Sequence, residues 1–306
     1  MMAGAVAWVF PGQGSQVVGM GRDLCAQSAA ARAVFDKADR LLGFPLSKVC
    51  FEGPEAELRR TDYAQPAIFT ASLAALEAAR EAGDSRIAVE PAFVAGHSLG
   101  EYTALVAAGA LDFADGLLLV RERGGLMEAA GREVESGMAA VLGIDADALA
   151  DACRLATAEL PGEVVQVANI NAPGQVIISG TNKAMARAIE LARARGARRV
   201  VPLSVGGAFH SPVMAPAEAG LRRYLEGVRL RNSRVPVVGN VSARPLQATD
   251  ELRVELGDQL SAPVRWQASV EFIASAGVRS FVEIGPGQVL ANLVKRICPD
   301  VEVGNL

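Results

Sequence analysis

The chain has 306 residues, 51% hydrophobic and 21% charged, which is enough apolar material for a sizeable core and too much for wholesale disorder. Its 30 Lys and Arg against 34 Asp and Glu leave a formal charge of −4, so no general attraction for nucleic acid or an anionic membrane is expected. Cys25, Cys50, Cys153 and Cys298 form no CxxC pair and only His97 and His210 accompany them, so no metal centre is expected and a reducing compartment fits.

The opening AVAWVF reads as a buried strand ending at Pro11. It lacks the positive start of a signal peptide, and no apolar run reaches the roughly 20 residues that span a bilayer. A soluble cytoplasmic α/β protein is therefore expected. AQPAIFTASLAALEAAREAG reads as a long helix stopped by Gly83, PAFVAG as a second buried strand, and LGEYTALVAAGA as a helix. DFADGLLLVRERGGLMEAA is a further helix, with Asp112 expected as its N-cap and Asp115 as the partner carboxylate.

From about Arg132 the rhythm changes. MAAVLGI, DADALADACRLA, VVQVANI, QVIISG, NKAMARAIELARARG and RRVVPLSV follow as β-α-β-β-α-β, the split ferredoxin-like order. The helix around EAGLRRYLEGV, the strand SFVEIG and the helix QVLANLVKRI then resume the larger pattern. The expected architecture is one large α/β unit, 1–132 and 202–306, interrupted by a ferredoxin-like unit at 133–201.

Gly96-His97-Ser98-Leu99-Gly100 satisfies G-x-S-x-G between a strand and a helix. A sharp strand-to-helix corner exposes the central hydroxyl above free helix N–H groups, and flanking glycines let the backbones cross. Ser98 is thus read as a nucleophile, with a helix N-cap as the plainer alternative. A serine needs a base. His97 sits at the corner itself and is expected to shape the pocket. His210, in the Gly-rich stretch VGGAFHSPVM, is the favoured base. No Asp or Glu announces itself as a third member, and a backbone carbonyl serves as well to fix the imidazole.

Four motifs, FPGQGSQ at 10–16, GHSLGEY at 96–102, RERGGLM at 121–127 and GAFHSPVM at 207–214, stand in one order. With QLSAPVRW near 259 and EIGPGQVL near 284 they closely resemble the malonyl-CoA:acyl carrier protein transacylases of fatty acid synthesis, over almost the whole chain. The resemblance implies an α/β-hydrolase-like core with an inserted ferredoxin-like subdomain. It implies that Ser98 takes the malonyl group, that His210 is the base, and that the N–H groups of Gln13 and Leu99 form the oxyanion hole. It places the substrate arginine at Arg123 and the carbonyl that orients the histidine at Gln259. On a helix Arg123 shares an apolar row with Val120 and Met127, so its charge is expected to turn inward and Arg121 to face solvent.

A serine–histidine pair also serves a hydrolase, and the same machinery serves a polyketide pathway; transfer rests on the resemblance and on Arg123. No cofactor is expected beyond malonyl-CoA as substrate. The implied partner is an acyl carrier protein, and the chain is expected to act as a monomer. Carrier proteins are typically acidic, so Arg193, Arg195, Arg198 and Arg199, or Lys295 with Arg296, are candidate contacts.

Overall fold

The computed structural model describes residues 5–306. Ten strands form two sheets among the described residues. Strand β1 (Val6–Phe10) is buried along its whole length, and β2 (Phe93–Gly96) pairs with it in parallel. The strands β3 (Ser136–Leu142), β4 (Val165–Ala172), β5 (Gln175–Thr181) and β6 (Arg199–Pro202) come next. The chain closes with β7 (Val237–Val238), β8 (Pro245–Leu246), β9 (Ser280–Glu283) and β10 (Glu302–Asn305).

The larger sheet has six strands in the order β10-β9-β1-β2-β7-β8, parallel except for the β7–β8 pair. Helices cover both of its faces, which is why its strands read as unbroken apolar runs rather than as alternations. Trp8 and Phe10 enter one core, with Phe69 and Tyr102, whereas Ala7 and Val9 enter the other, with Trp266 and Phe281. The smaller sheet has four strands in the order β4-β5-β3-β6, antiparallel throughout, and a core of its own around Val141, Leu149 and Ile178. Helices Ala146–Glu159 and Asn182–Ala194 lie between its strands in sequence.

Three expectations need adjustment. Asp112 does occupy the residue before helix Phe113–Glu133, but its carboxylate caps nothing. It accepts instead from Arg231 at 3.0 and 2.8 Å, a remote partner that outcompetes the helix N–H groups. The strand at RRVVPLSV stops at Pro202, and residues 203–210 run on as a loop. The helix after Ser98 ends at Ala107, short of the expected stretch. Helices at 22–58, Thr249–Asp258 and Trp266–Ser275, and strands β7, β8 and β10, lay outside the elements read from the sequence. No helix among the described residues is long and apolar enough to cross a membrane.

Candidate active site

The corner after β2 is built by close approach. A Cβ on Gly96 would stand 1.9 Å from the Gly100 carbonyl carbon, and one on Gly100 would stand 2.0 Å from the Phe10 oxygen. A Cβ on Gly12 would meet the His97 oxygen at 2.3 Å, which locks the PGQG loop onto the same corner. Only glycines permit this crossing. The turn leaves Ser98 at φ 51°, in the left-handed region that a non-glycine residue holds only when its surroundings require it. Asn240, after β7, brackets the corner: its Oδ1 accepts from the Ser98 N–H at 2.7 Å, and its Nδ2 donates to the Gly96 carbonyl at 2.7 Å.

The Ser98 side chain does not cap its helix. Its Oγ lies 2.8 Å from His210 Nε2. His210 Nδ1 lies 2.9 Å from the Gln259 main-chain oxygen. A carbonyl only accepts, so the ring proton sits on Nδ1 and leaves Nε2 free to accept from the serine hydroxyl. His210 is itself at φ 55° and buried. Burial first, then the Arg123 charge, push its pKa down to about 3, against the opposing hydrogen bond to Gln259.

Arg123 does turn inward and is 1% exposed. Its Nη2 donates to Ser98 Oγ at 3.0 Å and to Gln259 Oε1 at 2.9 Å, and its Nη1 donates to Gln65 Oε1 at 2.7 Å. The guanidinium lies 5.2 Å from the Tyr102 ring centre. Among the described residues it enters no ion pair, and its Nε has no partner. A buried cation without a carboxylate is a standing demand for an anion. Arg121, expected to face solvent, is instead held between the rings of Phe44 and Tyr63 and pairs with Asp62 at 3.2 Å. Its planar head finds aromatic faces that its sequence position does not reveal.

Gln259 joins these groups. Besides receiving Nδ1 of His210 and Nη2 of Arg123, it donates from Nε2 to the Ser98 carbonyl at 3.0 Å and to Glu101 Oε2 at 2.5 Å. Glu101 is buried behind it, and desolvation, reinforced by Glu255, holds its carboxyl well above the usual carboxylate range. The Gln13 and Leu99 N–H groups donate to no other atom among the described residues. His97 directs Nε2 to Asn171 Oδ1 at 2.9 Å and packs against Trp266.

A cavity of about 380 Å³ opens above Ser98 between the two sheets. Gln13, His97 and Met127 from the large unit line it, with Met138, Asn169 and Asn171 from the small one. The structure thus gathers Ser98, His210, Arg123, Gln259, His97 and the Gln13 and Leu99 backbones at one place. Sequence reasoning missed Gln65, Glu101, Asn171 and Asn240. Glu101 stands inside the quoted GHSLGEY, but nothing in its spacing shows that it points to a remote glutamine. Among the described residues no cluster of His, Cys, Asp or Glu could hold a metal ion. Of the candidate docking cations, Lys295 Nζ is tied to the Val301 carbonyl, and Arg296 donates to Gln175 Oε1 at 3.0 Å and to the Pro173 carbonyl at 2.8 Å. Arg193, Arg195, Arg198 and Arg199 are exposed.

Comparison with known proteins identifies the family. The acyl transferase domain family matches residues 7–303. The malonyl CoA-acyl carrier protein transacylase of Bacillus subtilis is 47% identical over 95% of this chain and 90% of its own length. A crystal structure of an acyl carrier protein S-malonyltransferase from Vibrio cholerae superposes with a TM-score of 0.93 at 39% identity, over 98% of this chain and 96% of that one. A malonyl-transacylase solved in complex with a type II polyketide acyl carrier protein also gives 0.93, at 40% identity over 99% and 96% of the two chains. The chain therefore belongs to the acyl transferase family, among the malonyl-CoA:acyl carrier protein transacylases.

Proposed function

We propose that this chain moves a malonyl group from malonyl-CoA to the phosphopantetheine thiol of an acyl carrier protein, for fatty acid synthesis, through an ester on Ser98. Ser98 Oγ attacks the thioester carbonyl while His210 Nε2 takes its proton. The oxygen of the tetrahedral intermediate is received by the Gln13 N–H in the loop after β1 and the Leu99 N–H at the start of the helix. The C–S bond breaks and CoA leaves, taking the proton from His210. The carrier thiol then gives its proton to His210 and attacks the ester carbonyl, and Ser98 recovers its proton as the C–O bond breaks. Arg123 receives the malonyl carboxylate on its guanidinium. Gln259 fixes the imidazole through its carbonyl, and His97 shapes the wall of the cavity.

One observation carries this reading. Ser98 Oγ lies 2.8 Å from His210 Nε2 and 3.0 Å from a buried guanidinium that forms no ion pair among the described residues. A general esterase has no use for the second contact, whereas an acyl group that ends in a carboxylate does.

The fold is read in the same terms as an α/β-hydrolase-like core with a ferredoxin-like insertion at 133–201. The antiparallel order β4-β5-β3-β6, reached by β-α-β-β-α-β connections, supports the insertion, although β6 runs one residue past that boundary. For the carrier protein, the exposed arginines 193, 195, 198 and 199 remain the candidate contact, and their charge reversal is expected to raise KM for the carrier alone.

The deciding experiment is intact-protein mass after brief mixing with malonyl-CoA, beside Ser98→Ala. An adduct on the parent only, discharged by holo acyl carrier protein, is expected. Free malonate without an adduct would mean a hydrolase.

A further inference from the structure

Three strands of the smaller sheet line the cavity, and its edge strand β4 also packs onto the loops behind it. β4 lies against the large unit, where the Ile170 N–H donates to the Val264 carbonyl at 2.9 Å and the Val264 N–H donates to the Ala168 carbonyl at 2.8 Å. Its register with β5 slips between Val167 and Asn169 and again between Ile170 and Ala172. Slips of this kind re-aim the side chains that follow. Val165, Val167 and Ile170 stay on the small unit's own core. Asn169 and Asn171 reach the cavity. Gln166 reaches past it: its Nε2 donates to the His210 carbonyl and to the Ser261 carbonyl, at 2.8 Å each.

Those two acceptors belong to the two loops that meet at the base. One loop carries His210. The other carries Gln259, whose carbonyl stands 2.9 Å from His210 Nδ1, with Ser261 two residues further on. Both hydrogens of the Gln166 amide are thereby used. The His210 loop is under conformational load, since its residue sits at φ 55° with no glycine to ease it. Such a conformation persists only where the surroundings over-determine it.

We propose that Gln166 is a positioning residue of the transfer reaction: its carboxamide clamps the loop bearing the base to the loop bearing the orienting carbonyl, so that the inserted unit sets the alignment of His210 on Ser98. The proposal rests on the reading of Ser98 as nucleophile and His210 as base. Gln166 acts through His210 and touches no reacting atom. Its loss frees two carbonyls and lets the two loops drift apart, and a misplacement of about 1 Å at a catalytic contact can cost on the order of 100-fold in rate. The binding of malonyl-CoA, carried by Arg123 and the cavity wall, is left alone.

The test uses the full chain with Gln166→Met, which keeps the length and removes the donors, and Gln166→Lys, whose ammonium keeps donors for both carbonyls. The rate of Ser98 phosphonylation by a small neutral fluorophosphonate reports proton removal without malonyl binding; kcat and KM for malonyl-CoA are read beside it, and near-UV circular dichroism reports folding. Q166M is expected to phosphonylate about 10- to 100-fold more slowly and to lose kcat equally, with KM within about twofold. Q166K is expected to recover most of that loss. A folded Q166M that reacts at the parental rate, with only a lower Tm, would overturn the proposal. So would equal loss in folded Q166M and Q166K; if Q166M proves too unstable to assay, Q166K decides alone, near-parental phosphonylation supporting the clamp and a folded Q166K at least about 10-fold slower overturning it. If the parent chain and Ser98→Ala are equally inert to the reagent, it is the assignment of the nucleophile that fails, not the clamp.

Discussion

The corner at Ser98 and the loop at His210 impose the same backbone conformation, φ 51° and 55°, by opposite means. At Ser98 the cause lies within a few residues: Gly96 and Gly100 let strand and helix cross, and the Cβ of any other residue would collide with backbone. At His210 the causes are distant. Gln166 holds the residue's carbonyl, Gln259 holds its ring, and the two partners are 44 and 49 residues away in sequence. A local device can be recognised as a motif, whereas a remote one shows in sequence only as a histidine among glycines.

Removing His210 gives the largest expected effect. His210→Ala is expected to lower malonyl transfer about 10²- to 10⁴-fold, the range of a lost general base, measured by steady-state kinetics with holo carrier protein. Retained activity would mean that the corner alone activates the serine. Arg123→Ala comes next. Malonyl acylation is expected to fall about 10²- to 10³-fold, as for a broken buried charge contact, while acetyl transfer is kept or improved. Equal loss with both acyl groups would mean that Arg123 serves the Ser98 hydroxyl, which it touches at 3.0 Å, and not a carboxylate.

Two glycines sharpen the contrast between corner and loop. Gly100→Ala places a Cβ 2.0 Å from the Phe10 carbonyl and is expected to cost about 3 kcal/mol or more in chemical denaturation. Gly206→Ala lies in the His210 loop, where the nearest atom, Glu128 Oε2, would be 3.6 Å away. That variant is expected to change stability by less than about 1 kcal/mol, toward stabilisation, because alanine restricts the unfolded chain. A reversed order would mean that the loop, not the corner, depends on local sterics.

The pH dependence is the mildest effect. Only neutral imidazole accepts the serine proton, and the folded protein holds His210 far below its ordinary 6.5, at about 3. As pH falls from 8 to 5 the base stays neutral, so acylation by rapid quench is expected to be flat, without a step near 6.5. Stability moves the other way. Below pH 6.5 the unfolded chain binds a proton that the folded chain refuses, so this group increasingly favours unfolding as pH falls. A step near 6.5 in the acylation profile would show the ring to be more hydrated than its burial implies.

Legibility in the sequence followed range. The strand–corner–helix at 93–107, the inward face of Arg123 and the β-α-β-β-α-β order rest on periodicity and glycine spacing, and all three stand in the structure. Asp112 stands at the N-cap position as expected, but a remote arginine takes its carboxylate in place of the helix N–H groups. Arg121 stays partly exposed, but Phe44 and Tyr63 come from other segments to meet its guanidinium, which its sequence position does not show. Asn240 and Gln65 carried no signal, and Glu101 only its place inside GHSLGEY, since their partners lie 142, 58 and 158 residues away.

The strand–corner–helix around Ser98 and the alternation of elements are legible in the chain alone, because steric exclusion at glycines and the periods of helix and strand act between near neighbours. Which side chains close the circuit around Ser98 depends on long-range packing. Gln259 contacts His210, Arg123 and Glu101 at once, and Gln166 crosses from the smaller sheet to the loop that carries His210. A hydrogen bond between distant segments depends on where packing brings its donor and acceptor, and no local pattern of residues encodes that place.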